Sequence, residues 1–355
     1  TWYLDTRDEN SDSAVVCANK HPKVSKGTMK NFWASARNYV LPEFMAKHPS
    51  ELDNIALIKW ESVMAANGAQ TGPRQKALSL LRMAFIAARD KLMIDANMSF
   101  PDKVFSHKNV VRKSKYSLSD YQRLWHFLAV GENFTYTAER KARELQRATR
   151  LLMLTGARKS EITKARWSEL EQSLRGAAPS LVVDESRQKS RRNHHIVLST
   201  LAEEILQEQY RANPPAGDDD FIFEYIRPEM CLNRSLTDQG KFTNTVHDIR
   251  RTTSTCWGAC SYADKLIELS LGHLPKGVTR RNYNQYEYLL QRREMMEDWS
   301  QLLLKAINTI TTHDDGSMWG ATDSIVEALD VGEQRQLNTI NSNDQGPSLL
   351  LAGAA

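Results

Sequence analysis

One pair of short β-branched runs, SLVVDE at 180–185 and HHIVLS at 194–199, interrupts a chain whose apolar residues otherwise recur at helical spacing. Runs of that length, separated by the polar stretch SRQKSRRN, predict a β-hairpin with Lys189 in its connection. The fold class that follows is mainly α with a small antiparallel β-sheet.

The helical period starts near Lys26, after an irregular segment over residues 1–22. Residues 23–105 predict a small all-α domain. In TMKNFWASARNYVLPEFM the residues Phe32, Ala36 and Val40 share a stripe that Pro42 interrupts. LDNIALIKWESVMAANG gives a second helix closed by Gly68, and Thr71 to Ile94 a long third with Leu78, Leu81, Ala84 and Phe85 inward. The period breaks at PDKVFSHKNVVRKSK, read as an extended basic linker centred on 106–116.

A second domain, 117–310, opens with Ser117 as an N-cap before YQRLWHFLAV. Glu139 to Leu154 predicts a helix that Gly156 ends. Arg158 lies just past that glycine, and Glu161 one turn along the next helix. Leu201 to Tyr210 reads as helical, NPPAGDDD as a loop and FIFEYI as a short strand or turn. EYLLQRREMMEDWSQLLLKAINTI predicts an amphipathic helix with Leu289, Met296, Trp299 and Leu303 on its apolar side. Residues 311–355 read as a tail, partly disordered towards its Asn-, Ser-, Gly- and Ala-rich end.

The chemistry concentrates in HDIRRTTSTCWGACSYADKLIELSLGHLPKGVTRRNY, residues 247–283. His247 and Arg250 are three apart and share a helix face. His273 follows in a Leu-Gly-His turn, with Tyr283 ten residues on. A phenol can serve as a covalent nucleophile. An arginine holds a phosphate by paired hydrogen bonds. Together they suggest phosphoryl transfer to a tyrosine, with DNA as the carrier of the phosphate. Taken singly, Arg158 is as well read as a salt-bridge partner of Glu161, His247 as a core imidazole and His273 as a helix cap; their co-occurrence favours the site.

The net charge of +4 says little about a partner. Local runs say more. His107, Lys108, Arg112, Lys113 and Lys115 form one, and Arg187, Lys189, Arg191, Arg192, His194 and His195 another. The four cysteines, Cys17, Cys231, Cys256 and Cys260, suit neither a zinc site nor a disulfide framework. No GxxxxGK[ST] loop is present, consistent with a reaction that needs no ATP, and no metal or other cofactor is expected. No apolar run reaches the roughly 20 residues of a membrane span. The N-terminus TWYLDTRDENSDS lacks the pattern of a secretory signal, and a reducing cytoplasm fits.

These motifs resemble those of the tyrosine recombinases, specifically the phage and genomic-island integrases, over about Val24 to Leu304. TGARKSEITKARW matches the family's TGxRxxE pattern, HDIRRT its HDLRRT, LGHLPKGVTRRNY its LGH and following tyrosine, and KSRRNHHIVLS its hairpin lysine. Ile249 stands where the family has Leu, and Val197 where relatives often have Pro. The resemblance implies a SAM-like helical core-binding domain followed by a catalytic domain. It implies Tyr283 as nucleophile, Arg158 and Arg250 on the scissile phosphate, Lys189, His247 and His273 assisting, and Glu161 orienting. Tyr286 is the fallback nucleophile, and Tyr288 is read as packing on the following helix. Residues 1–22 are too short for the further N-terminal arm-binding domain of many island integrases.

The implied activity is site-specific integration or excision through a 3′-phosphotyrosyl link. Duplex DNA at attachment sites would be the partner, gripped by Lys108, Arg112, Lys113, Lys115, Arg191 and Arg192. A homotetramer in the synaptic complex and accessory DNA-bending or directionality factors are also implied, in a bacterial cytoplasm. A type IB topoisomerase and a catalytically silent DNA-binding protein are the competing readings.

Overall fold

The computed structural model describes residues 26–91, 93–101, 115–128, 136–171, 178–188, 192–226, 232, 235, 236, 241–273 and 287–308. The chain divides into two compact units, Thr1–Arg112 and Lys113–Ala355. The division falls inside the stretch read as a linker, whose residues 102–114 lie outside the described ones.

The first unit is helical. α1 (Lys26–Ser35) runs through a π-helical turn (Ala36–Val40) into α2 (Leu41–Phe44). Pro42 therefore does not break the helix as its sequence position suggests. The Leu41 N–H reaches back to Ala36 O across the wider turn, and Pro42 falls in the first turn of α2, where its missing donor has no partner to lose. α3 (Asn54–Ala66) is capped by Asp53, whose carboxylate accepts from the Ala56 N–H at 2.7 Å. α4 (Thr71–Asp90) ends short of the expected Ile94. Leu57, Trp60, Met64, Leu81, Phe85 and Phe100 form the core, and the Trp60 indole donates to Tyr39 O.

The second unit holds α5 (Leu118–His126), α6 (Tyr136–Thr155), α7 (Lys159–Thr163) and a three-stranded antiparallel sheet, β1 (Leu170–Glu171), β2 (Ser180–Val183) and β3 (His194–Val197). It continues with α8 (Thr200–Ala212), α9 (Val246–Ala259), α10 (Asp264–Ser270) and α11 (Leu289–Asn308). β2 and β3 pair from Ser180↔Val197 to Val183↔His194, the expected hairpin. β1 extends the sheet by two residues, too few to leave a period in sequence. FIFEYI supplies only an isolated bridge, Phe221 to Arg166.

The core of this unit joins α6, α9 and α11. Trp257 and Trp299 are fully buried edge to face, 6.5 Å apart, and the Trp299 indole donates to Met153 O. The segment before α5 is sutured to α9. The Tyr116 N–H donates to Thr252 Oγ1, the Tyr116 hydroxyl to Asn244 O, and the Tyr121 hydroxyl pairs with Thr253 Oγ1 at 2.8 Å. These bonds fix the helix that carries His247 and Arg250.

Gly156 ends α6 with φ +61°, and a Cβ there would stand 2.8 Å from the Trp257 ring. Gly156→Ala is expected to lower stability by at least about 2 kcal/mol, read by denaturant unfolding, because left-handed backbone and overpacking add.

Candidate active site

Arg158 stands where the chain leaves Gly156 and enters α7. Its own backbone N–H donates to Glu161 Oε2 at 2.6 Å, and its Nη1 donates to Glu161 Oε1 at 2.8 Å. One carboxylate thus caps the helix and grips the guanidinium. Nη1 also reaches Gln188 Oε1 at 3.3 Å, and Nη2 the carbonyl of Gly272 at 3.5 Å. The side chain remains about one-third exposed (32%).

Arg250 comes to the same turn from α9. Thr245 starts that helix, its N–H and hydroxyl both bound to Asp248 Oδ2 at 2.8 Å. The buried Arg250 donates through Nη1 to Gly156 O at 2.9 Å and through Nη2 to Leu271 O and His273 Nε2. Burial, and then the nearby cation of Arg158, lowers its pKa to about 10. Both guanidiniums therefore bear on Leu271–Gly272–His273, the Leu-Gly-His turn.

That turn depends on Gly272. Its φ is +61°, and a Cβ would meet the His194 ring at 2.9 Å. His273 Nδ1 lies 2.8 Å from Glu268 Oε2, so Nδ1 carries the proton and Nε2 accepts from Arg250. His247 is exposed at the start of α9. Partial burial lowers its pKa, as do the cations of Arg251, Arg250 and Arg158. The shift favours the neutral, proton-accepting ring.

Glu161 is almost fully buried (side chain 4% exposed). Burial alone would raise its pKa. The His194 ring at 3.5 Å, an ion-pair distance, the Arg158 amide and the Gln188 amide outweigh that and hold it at about 2.

The structure thus brings together Arg158, Glu161, Arg250 and His273, with His247 in electrostatic reach. Lys189, Tyr283 and Tyr286 lie outside the described residues, as do Lys108, Arg112, Lys113 and Arg191. Lys115 and Arg192 are described and exposed. At Tyr288, read as packing on the following helix, Lys265 of α10 donates to the hydroxyl and lies 3.8 Å from the ring centre.

Three contributors escaped the sequence reading. Gln188 is a buried amide between Arg158 and Glu161. Glu268 fixes the His273 tautomer from five residues upstream. Arg292, on the expected apolar face of α11, is fully buried; burial lowers its pKa to about 10. It donates to Ser270 Oγ at 3.2 Å, to Glu287 O at 3.5 Å and to His195 O. Its only sequence signal is a charge inside an apolar stripe.

No protein-family model matches the chain. Among characterised proteins it is similar to the prophage integrase IntZ of Escherichia coli K12, 34% identical over 167 residues, 45% of this chain and 40% of IntZ. It is also similar to the prophage integrase IntA of the same organism, 26% identical over 81% of this chain and 68% of IntA. The first match therefore spans less than half of its relative. Among solved structures, a lambda integrase tetramer bound to a Holliday junction superposes with a TM-score of 0.53 at 15% identity, over 72% of this chain and 74% of that one. This last likeness is one of fold.

Because Glu161 is held below its ordinary 4.5, it contributes stability that is complete above that value and lost as pH falls towards about 2. Glu161→Gln is expected to remove on the order of 3 kcal/mol at pH 7 and to flatten the stability profile between about pH 5 and 2. Chemical denaturation at a series of pH values checks this.

Proposed function

We propose that this chain, which belongs to the tyrosine recombinase family, is a site-specific DNA strand transferase that integrates or excises a mobile element. The observation that carries the reading is the convergence of Arg158 and Arg250 on the Leu271–His273 turn, with His247 at the start of the helix that bears Arg250. The prophage integrases among its relatives and the lambda integrase fold support it.

The substrate is a backbone phosphodiester of duplex DNA. Tyr283 Oη attacks phosphorus, forming the phenolic P–O bond while the bond to the 5′ oxygen breaks. The phenolic proton passes to His247, whose lowered pKa leaves it free to accept. Lys189 gives a proton to the departing 5′ oxygen. Negative charge gathers on the non-bridging oxygens, where Arg158 and Arg250 are preorganised donors, and His273, which accepts from Arg250 through Nε2, assists beside them. Glu161 fixes Arg158. The product keeps the phosphoester as a 3′-phosphotyrosyl link, and a second strand's 5′ hydroxyl reverses the step. Every bond broken is matched by one formed, so the exchange draws on no nucleotide or metal.

Residues 23–105 serve as the core-binding domain, 106–116 as the linker and 117–310 as the catalytic domain. The 311–355 tail docks on a neighbouring subunit of a homotetramer. Lys108, Arg112, Lys113, Lys115, Arg191 and Arg192 contact DNA phosphates, so binding weakens with salt. Accessory bending or directionality factors assist in the bacterial cytoplasm. Among the described residues no helix is long and apolar enough to cross a membrane.

With a nicked duplex carrying its attachment core, the protein is expected to form an SDS-stable adduct that maps to Tyr283. Tyr283→Phe should bind the same DNA and form none. Arg250→Ala should slow adduct formation about 10²–10³-fold, the cost of one preorganised donor. An adduct on Tyr286 keeps the function and moves the nucleophile. No adduct on DNA that is demonstrably bound makes this a silent DNA-binding protein instead.

A further inference from the structure

We propose that His194 is a positioning residue for Arg158, its ring on β3 bearing on the two groups between which that guanidinium is held. The inference rests on the function proposed above. This imidazole takes no part in the proton transfers described there. It is buried, and among the described residues neither ring nitrogen has a hydrogen-bond partner. A buried polar group in that state is costly, and an aliphatic side chain would cost β3 less.

Two contacts offset that cost. Nδ1 lies 3.5 Å from Glu161 Oε1, the same oxygen that takes Arg158 Nη1 at 2.8 Å. A carboxylate only accepts, so Nδ1 carries the proton. The same edge of the ring lies against Gly272. A Cβ on that glycine would stand 2.9 Å from Cε1, 3.0 Å from Nδ1 and 3.1 Å from Cγ. Gly272 O in turn accepts from Arg158 Nη2 at 3.5 Å. One ring edge thus backs both the carboxylate on Nη1 and the turn on Nη2. The Arg158 amide and Gln188 hold the carboxylate too, but their described bonds do not reach Gly272.

The charges around the ring agree with this placement. Burial pushes the Glu161 carboxyl up, and His194 is foremost among the groups that bring it down to about 2. The other charges acting on that carboxylate are Arg158 at the start of α7 and Arg250 on α9. His195, next along β3, turns to the other face of the sheet, where its Nδ1 lies 3.4 Å from Ser180 Oγ. The footing of His194 is firm. Its backbone pairs with Val183 across the hairpin, and the next carbonyl, His195 O, accepts from buried Arg292. The ring stays where the sheet sets it, and the Leu271–His273 turn rests against it. Without the ring, Gly272 loses the surface behind it and Glu161 Oε1 loses a partner. Arg158 then keeps its carboxylate but not its fixed direction.

The test is a double-mutant cycle on adduct formation with the nicked duplex: wild type, His194→Leu, Arg158→Ala and both changes together. Leucine fills the space without an N–H. Alone, His194→Leu is expected to slow the adduct about 10-fold, short of the roughly 100-fold cost of a displacement near 1 Å, because Glu161 and Gln188 still hold Arg158. Arg158→Ala should slow it about 10²–10³-fold. On that background His194→Leu should cost no more than about 2-fold, because the group it positions is gone. Loss of folded protein lowers both comparisons alike and cancels between them. Slowing by the same factor in both backgrounds, or in neither, overturns the inference. If His194→Leu does not fold, His194→Asn, which keeps an N–H near the Nδ1 position and gives up the rest of the ring, is judged by the same cycle. Failure of the underlying function looks different: the wild-type chain forms no adduct, or Arg158→Ala forms it at the wild-type rate.

Discussion

Two guanidinium groups held against one turn repel each other, and much of the second unit is arranged to keep Arg158 and Arg250 there. Burial and then mutual repulsion depress Arg250, against the partial relief given by the Glu161 and Glu268 charges. Three backbone carbonyls, those of Gly156, Leu271 and Gly272, take part of the load as dipoles rather than charges. The Glu161 carboxylate pairs with Arg158, and its charge and that of Glu268 also act on Arg250. Two guanidiniums set side by side suit an anion with two oxygens to offer. A site preorganised in this way needs little rearrangement when charge develops on a bound phosphate.

The repulsion also explains why the site rests on glycines and tryptophans. Gly156 supplies a carbonyl to Arg250, and its missing side chain lets Trp257 close against the end of α6. Gly272 supplies a carbonyl to Arg158, and its missing side chain admits His194, which faces Glu161. In both places a left-handed turn aims a carbonyl at a guanidinium while the main core packs behind it. Core and site share the same two residues, so a change in packing there reaches the arginines directly.

What was legible in sequence follows from this division. Residues that need a special backbone or a fixed charge leave a local pattern: TGAR, HDIR and LGH each join a turn or cap to a charged side chain. The helices and the hairpin were readable from period. Pro42 misled because a π turn ahead of it absorbs the missing donor, something no apolar spacing encodes. Gln188 and Arg292 were illegible for another reason. Each acts through partners that lie as far as 30 residues away for Gln188 and 97 for Arg292, and neither type stands out beside its neighbours.

Arg292 carries that point further. A fully buried arginine is costly unless its donors are used, and here they go to Ser270 at the end of α10, Glu287 just before α11 and the His195 carbonyl on β3. Ser270 and Glu287 lie on either side of the segment that contains Tyr283, and β3 is the strand by which the lysine-bearing connection returns to the sheet. Leucine would fill the same volume at lower desolvation cost, but it could bond none of the three. A buried cation in place of an aliphatic trades stability for fixed distances among three elements. That exchange makes physical sense if, as proposed, the parts being spaced meet one phosphate.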